Sequence, residues 1–312
     1  MKEITTQKLF KLTQTSKDFI LLDCRGVDYF NWEHLPGALN LRWKYVAEKA
    51  PQLLPSKDQL IITSCDGFTC NSSIRGYKNL VKAGYTNLVE YSGGLADWKA
   101  HGYKTTSESQ FKISENVYRF PHQTFYGEKV GCYLIEEKDF ILLIDGPQNL
   151  TEEHEDFIEH FGKPIKILLS HDPTGGQTNM LQQEYKAEIY LHKLDKNGEW
   201  LIVKPDHYIE SGFKFNDDLT VIHNPGHSPG SVSLLDSKNK ILFTGDHIQG
   251  TESGRIRDFI KEDNGVSGDP RARLSSAKKL LAYDFNMILP FHYEMIRKDA
   301  KKRLERFIKQ YE

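Results

Sequence analysis

Short apolar runs separated by stretches of helical period dominate the first hundred residues. Residues 19–22 (Phe-Ile-Leu-Leu), 38–41 (Ala-Leu-Asn-Leu), 60–63 (Leu-Ile-Ile-Thr) and 88–91 (Leu-Val-Glu-Tyr) are short and bounded by polar or turn residues. They predict buried strands. Between them the apolar spacing turns helical. After residue 73, Ile74, Tyr77, Leu80 and Val81 fall on one face; Asn71, Ser72 or Ser73 can cap the start, and Gly84 can close the end. Strands alternating with helices predict an α/β layer fold with a mainly parallel sheet.

Beyond residue 112 the rhythm quickens. Strand-like runs fall at 129–135, 140–144, 165–169, 189–191, 219–223, 231–235, 241–243 and 287–289, with helical patterns near 152–161, 179–185, 271–281 and 298–309. Hairpins interleaved with helices predict two sheets packed face to face, with helices outside. Residues 104–110 (Lys-Thr-Thr-Ser-Glu-Ser-Gln) are polar without an apolar period and read as a flexible connection. The expected division is a first domain over 1–107, a linker over 108–112 and a second domain over 113–312. A chain of 312 residues accommodates about two domains.

Charge and cysteine content narrow the function classes. There are 41 Lys and Arg against 43 Asp and Glu, a formal charge of −2, so bulk electrostatics give no case for nucleic acid. The basic run Lys301, Lys302, Arg303 and Arg306 reads as a solvated helix face. No apolar run approaches the roughly 20 residues of a membrane span, and Met1-Lys2-Glu3-Ile4 lacks the apolar core of a signal peptide. Four cysteines in a chain of this length fit a reducing cytoplasm better than a disulfide scaffold.

The segment Ser64-Cys65-Asp66-Gly67-Phe68-Thr69-Cys70-Asn71-Ser72-Ser73 joins a predicted buried strand to a helix start. Cys65 at that mouth would meet unpaired backbone N–H groups and the positive end of the dipole, which favour a thiolate. The competing reading is a small buried core cysteine. Asp66 opposes thiolate formation, and Arg75 is the nearby cation in sequence. Cys70 either acts as a resolving thiol by forming a disulfide with Cys65 or packs inward. Asp66, Gly67, Phe68, Thr69 and Asn71 would line the substrate side of the loop. Asn71 at the sixth position after Cys65 excludes a C-x5-R phosphatase loop. Arg25 and His34 read as structural.

In the second half, polar marks end several strands: Asp145-Gly146-Pro147, Ser170-His171-Asp172, Asn224-Pro225-Gly226-His227-Ser228, Thr244-Gly245-Asp246-His247 and Pro290-Phe291-His292. Histidines and an aspartate at the ends of separate strands can converge on one metal ion. A single such histidine is more often a hydrogen-bonded loop residue. His192 and His223 read as loop or strand-end residues.

Residues 1–105 resemble the rhodanese family. Asp23-Cys24-Arg25, Tyr29-Phe30, His34-Leu35-Pro36-Gly37-Ala38-Leu39-Asn40, Cys65, Ala83-Gly84-Tyr85 and Ser92-Gly93-Gly94-Leu95-Ala96-Asp97-Trp98 carry the likeness. It implies that Cys65 accepts sulfane sulfur as a persulfide and passes it on. Common rhodanese loops have arginine where this chain has Cys70. Residues 113–312 resemble the metallo-β-lactamase superfamily, through residues 225–231 (Pro-Gly-His-Ser-Pro-Gly-Ser) and 242–246 (Leu-Phe-Thr-Gly-Asp). This implies an αββα sandwich. The family's H-x-H-x-D-H motif is reduced to His171-Asp172-Pro173-Thr174-Gly175-Gly176, which argues against a two-metal hydrolase site. His171, His227, Asp246 and His292 remain as candidate ligands. Two histidines and a carboxylate suit non-haem Fe(II), and three-ligand Zn(II) is also chemically open. Persulfide dioxygenases resemble this pattern at His171, His227 and Asp246, and are known fused to rhodanese domains; there His292 would lie nearby without having to bind metal.

The leading expectation is a sulfurtransferase with a small-molecule thiol or sulfur donor as partner, whose second domain either oxidises a persulfide at one iron or binds a thiol acceptor. One alternative is a metal-dependent hydrolase of thioesters or similar bonds. Another is a metal-free second domain serving binding or dimerisation, with a homodimer left open.

Overall fold

The computed structural model describes residues 1–16, 18–54, 56–106, 112–120, 123–261 and 268–312. It divides into two compact units, Met1–Lys112 and Ile113–Glu312. The linker expected over 108–112 lies, except for Lys112, outside the described residues.

The first unit runs α1 (Thr6–Thr15), β1 (Phe19–Asp23), α2 (Val27–Trp32), β2 (Leu39–Asn40), α3 (Val46–Leu53), β3 (Leu60–Ser64), α4 (Ser72–Lys82), β4 (Leu88–Tyr91) and α5 (Gly94–Ala100). The strands form one sheet in the order β2-β1-β3-β4 with all pairs parallel. Successive side chains of a strand point to opposite faces. Leu22 and Ile61 therefore join a cluster with Val46, Ala50, Leu80 and Tyr85, while Leu21 and Ile62 join Leu9, Leu95 and Trp98 on the other side. A parallel sheet needs both faces covered in this way.

The α4 pattern differs from expectation in two respects. Val81 is 51% exposed, and the inward face is Ser73, Gly76 and Leu80. Gly76 lies so close to Cys24 that a Cβ there would fall 2.3 Å from the Cys24 sulfur, so the helix seats by having no side chain at that point. Asn71 is the N-cap, but its side chain makes no capping hydrogen bond among the described residues. The Ser73 hydroxyl is engaged elsewhere. At the other end Gly84 takes φ +87°, and Tyr85 N–H bonds to the Leu80 carbonyl, closing the helix with a left-handed residue.

The second unit runs β5 (Val117–Arg119), β6 (Thr124–Phe125), β7 (Glu128–Lys129), β8 (Tyr133–Glu136), β9 (Ile141–Ile144), α6 (Glu152–His160), β10 (Ile165–Leu168), α7 (Thr178–Tyr185) and β11 (Glu188–His192). It continues β12 (His207–Ile209), β13 (Leu219–His223), β14 (Val232–Asp236), β15 (Ile241–Gly245), α8 (Pro270–Leu280), β16 (Met287–Pro290) and α9 (Ala300–Ile308). One sheet has the order β12-β11-β10-β9-β8-β5, the other β13-β14-β15-β16. The run at 129–135, expected as one strand, breaks into β7 and β8. Gly131 abuts the Tyr133 ring too closely for any Cβ.

The two sheets share a core. Ile135, Leu142, Ile144 and Leu168 from one meet Val221, Leu234, Phe243 and Leu289 from the other. The alternate positions Leu235, Leu242 and Ile288 face outward onto Ala277, Leu280, Leu304 and Phe307 of α8 and α9. Each such buried side chain contributes about 1.5–3 kcal/mol. The same alternation leaves the strand ends, where the pattern turns polar, free to carry chemistry.

Candidate functional sites

The loop between β3 and α4 is held from α5. Leu95 N–H donates to the Cys65 carbonyl at 3.0 Å and Ala96 N–H to the Asp66 carbonyl at 2.8 Å. Gly94 makes this approach feasible. It sits at φ +57°, and a Cβ there would lie 2.5–2.6 Å from Cys65 O, Asp66 C and Gly67 N. Cys65 is 2% exposed, Phe68 at the loop tip is 73% exposed, and Cys70 is half-buried. Thr69 and Asn71 are exposed.

The Cys65 thiol faces the Ser73 hydroxyl at 3.3 Å, the Cys70 carbonyl at 3.4 Å and the Gly67 carbonyl at 3.8 Å. The neighbouring Cys70 sulfur, and then burial, push the Cys65 thiol well up. The Cys65 thiol in turn pulls Cys70 down to about 5 against burial, helped by the Ser72 hydroxyl and the Asp66 and Ser72 amides. The expected ring of amides therefore faces mainly Cys70. Cys65 has the Ser73 amide. With no side-chain cap on α4, the Ser72 N–H is available to the sulfur two residues back. All four cysteines are free thiols.

The cation near the loop is also not the one expected. Arg75 lies over the Trp43 ring at 4.7 Å. Arg25 instead reaches Asp66 Oδ1 at 3.1 Å, while its Nε and Nη2 hold Asp23 at 3.0 and 2.7 Å. The buried guanidinium thus offsets the Asp66 charge beside Cys65. His34 Nδ1–H donates to the Phe30 carbonyl at 2.6 Å, and the ring stacks on the Phe30 ring.

In the second unit, His171, His227 and Asp246 converge, their donor atoms all within 4.8 Å of one another. His171 follows β10. Its Nδ1 pairs with Ser170 Oγ at 2.9 Å, and Ser170 N–H is held by Asp145 Oδ1 at 2.8 Å. This leaves His171 Nε2 aimed at Asp246 Oδ2, 3.3 Å away. His227 Nε2 stands 3.8 Å from the same oxygen, and the two imidazoles meet edge to face. A register shift between Phe243 and Gly245, at the end of β15, precedes Asp246, and such irregularities re-aim the following side chain.

His292 is not part of this triad. Its Nδ1 pairs with the other oxygen, Asp246 Oδ1, at 2.5 Å, and Gln249 Nε2 donates to the same atom at 3.0 Å. Oδ1 is thereby occupied and Oδ2 is left facing the two histidines. Burial, then His171, push His227 down to about 3. In His171 burial opposes the charge but Asp246 outweighs it, and the group is raised. Apart from its ion-pair approach to Asp246 Oδ2, buried His171 Nε2 has no hydrogen-bond partner among the described residues. Two donors at about 2.1 Å from one ion in tetrahedral array lie about 3.4 Å apart. The observed 3.3 and 3.8 Å separations fit a single ion held by His171 Nε2, His227 Nε2 and Asp246 Oδ2. His192 and His223 stack on each other at 4.2 Å.

A family model described as rhodanese-like domain matches residues 6–101, and one described as metallo-beta-lactamase superfamily matches residues 152–296. The chain is a rhodanese-like domain followed by a metallo-β-lactamase domain. It is similar to the uncharacterized protein YobT of Bacillus subtilis strain 168, 30% identical over 148 residues, covering 38% of this chain and 62% of that protein. It is also similar to the adenylyltransferase and sulfurtransferase UBA4 of Lodderomyces elongisporus, 32% identical over 105 residues, 30% of this chain and 22% of that protein. The chain thus spans under two thirds of either relative. A solved metallo-beta-lactamase from Pontibacter korlensis has TM-score 0.51 and 16% identity over 64% of this chain and 95% of its own, a likeness of fold alone. No helix among the described residues is long and apolar enough to cross a membrane.

Three participants have roles that the sequence does not announce. Ser73 reads as a capping residue, but its hydroxyl lies between Cys65 and Glu90. Glu90 did leave a signal: a charged residue inside an otherwise apolar strand, and it proves buried. Gln249 carried none beyond lying three residues after Asp246.

Proposed function

We propose that this protein handles sulfane sulfur. The rhodanese-like domain carries it as a persulfide on Cys65, and Cys70 serves as the resolving thiol. The metallo-β-lactamase domain holds one metal ion on His171, His227 and Asp246 and acts there on a persulfide. The observation that carries the reading is the placement of two cysteines in the loop between β3 and α4, with the Cys65 sulfur 3.3 Å from the Ser73 hydroxyl and 3.4 Å from the Cys70 carbonyl. A pair so placed keeps one sulfur anionic and the other ready to displace it.

In the second domain, Ser170 fixes the His171 ring and leaves Nε2 as the ligand atom. His292 and Gln249 hold Asp246 so that Oδ2 faces inward. An ion bound there supplies Lewis acidity and, if it is iron, reactivity with O₂.

Two measurements test the proposal. Cys65→Ala should abolish sulfur transfer from thiosulfate to a thiol; retained transfer refutes the first half. Elemental analysis after anaerobic loading should find one Fe(II) per chain, with persulfide-dependent O₂ uptake. One zinc, with thioester turnover lost in His227→Ala, would assign the second domain to hydrolysis. No bound metal would reduce it to a binding or dimerisation module.

A further inference from the structure

Behind Cys65 runs a buried polar line that sulfur chemistry at the loop surface does not by itself require. Cys65 Sγ lies 3.3 Å from Ser73 Oγ, and Ser73 Oγ lies 2.8 Å from Glu90 Oε1. Ser73 and Glu90 are each 1% exposed. Ser73 is in the first turn of α4 and Glu90 in the middle of β4, so the rigid part of the fold holds both.

Counting protons decides what the line can do. Ser73 has one hydroxyl proton and lone pairs to accept with. An ionised Glu90 only accepts, so it takes that proton, and Cys65 must then be the thiol donating to Ser73. If Cys65 is the thiolate, the Ser73 proton turns to the sulfur, and Glu90 must supply a proton of its own to keep the 2.8 Å contact. Thiol with carboxylate and thiolate with carboxylic acid are two arrangements of the same proton inventory.

The geometry points to Glu90 as the proton store for Cys65, acting through Ser73 as a positioning and relay residue for sulfur uptake; this rests on the sulfurtransferase reading above. Cys65 gives its proton to Ser73 Oγ as Ser73 gives its own to Glu90. The thiolate attacks the outer sulfur of a sulfane donor. With thiosulfate, the donor S–S bond breaks with its electron pair on the departing sulfite, and a new S–S bond forms at Cys65. When an acceptor thiolate takes that sulfur, the pair returns to Cys65 and the proton comes back from Glu90. The other ionisable groups facing this line are Cys70 beside Cys65, Cys24 near Glu90 and Cys70, and Arg25 near Cys65. Cys70 is the rival proton acceptor.

The test uses the full chain. Rates of Cys65 sulfuration by thiosulfate, and of Cys65 alkylation by iodoacetamide, are followed by peptide mass spectrometry from pH 5 to 9. In the wild type and in Cys70→Ser, both rates should change less than about threefold between pH 6 and 8. In Glu90→Gln and Ser73→Ala they should climb about tenfold per pH unit over that range, as for a buried thiol whose ionisation lies above it. A merely structural role would lower the rate equally at every pH. A wild type that itself climbs tenfold per unit overturns the relay. So does a Glu90→Gln plateau like that of the wild type, a plateau lost only in Cys70→Ser, or a Cys65 that reacts at no pH. Alkylation with the expected profile but no sulfuration would leave the relay standing and remove the sulfurtransferase reading. If Glu90→Gln does not fold, Ser73→Ala, which leaves the carboxylate in place, decides.

Discussion

Replacing Gly94 by alanine tests how the loop under Cys65 is held. Two costs can be read from the backbone. An L-residue at φ +57° is in the left-handed region, costing about 1–2 kcal/mol. The new Cβ would also lie 2.5–2.6 Å from three backbone atoms of residues 65–67, so the loop must retreat. The contacts most directly in the way are Leu95 N–H to Cys65 O at 3.0 Å and Ala96 N–H to Asp66 O at 2.8 Å. Losing both costs about 0.5–1.5 kcal/mol each. The sum is about 2–5 kcal/mol, which for a domain of this size lowers the melting temperature by roughly 10–30 °C. Gly37→Ala is the matched control. Gly37 has φ +77° but nothing within 4 Å of its would-be Cβ, so it should cost only the conformational part, about 1–2 kcal/mol. Trp32, Trp43 and Trp98 report the rhodanese-like domain by fluorescence. Sulfuration of Cys65 should be measured well below the transition. The reasoning fails if Gly94→Ala melts within about 3 °C of Gly37→Ala and loads sulfur at the wild-type rate, because the loop would then have yielded without losing its anchor.

Ser170→Ala removes the partner that fixes the His171 ring and should weaken Fe(II) or Zn(II) affinity about 10- to 100-fold in a chelator competition; unchanged affinity would detach Ser170 from the site. His292→Ala should leave the metal stoichiometry at one while weakening affinity, whereas Asp246→Ala should abolish binding, since only Asp246 belongs to the triad; equal losses in equilibrium dialysis would make His292 a ligand. Glu33 is held at about 2 rather than its ordinary 4.5: burial opposes this, but Lys112, Thr105 and Lys99 outweigh it. A depressed carboxylate stabilises the fold above the unfolded value of about 4.5, and the contribution is lost as pH falls toward 2. With solvent screening it amounts to about 1–2 kcal/mol, so the gap between wild type and Glu33→Gln in denaturant melts should close over that window; a constant gap would contradict it.

The fold was legible because its two periods are clean. Four apolar runs of three or four residues, separated by helical spacing, admit little besides a covered parallel sheet, and the polar marks at the strand ends gave the positions of His171, His227 and Asp246. What the sequence could not show was which atom of a residue is already spoken for. His292 follows its strand as His171 does, yet Asp246 Oδ1 holds its ring. Ser73 had the right place for a helix cap, but its hydroxyl is in use between Cys65 and Glu90. Each case turns on a partner more than 15 residues away.

The same limit explains why the loop electrostatics were misplaced. Reading outward from Cys65 gives Asp66 as an unopposed charge and Arg75 as its remedy. The fold brings Arg25 across from β1, 41 residues away in sequence, and sends Arg75 to Trp43. It also divides the amides between the two sulfurs, those of Ser72 and the loop residue Asp66 toward Cys70 and that of Ser73 toward Cys65. A sequence can thus locate a reactive loop by its strand-to-helix junction. Which of two sulfurs in that loop holds the proton depends on groups from β1, α4 and β4 that meet only in the folded chain.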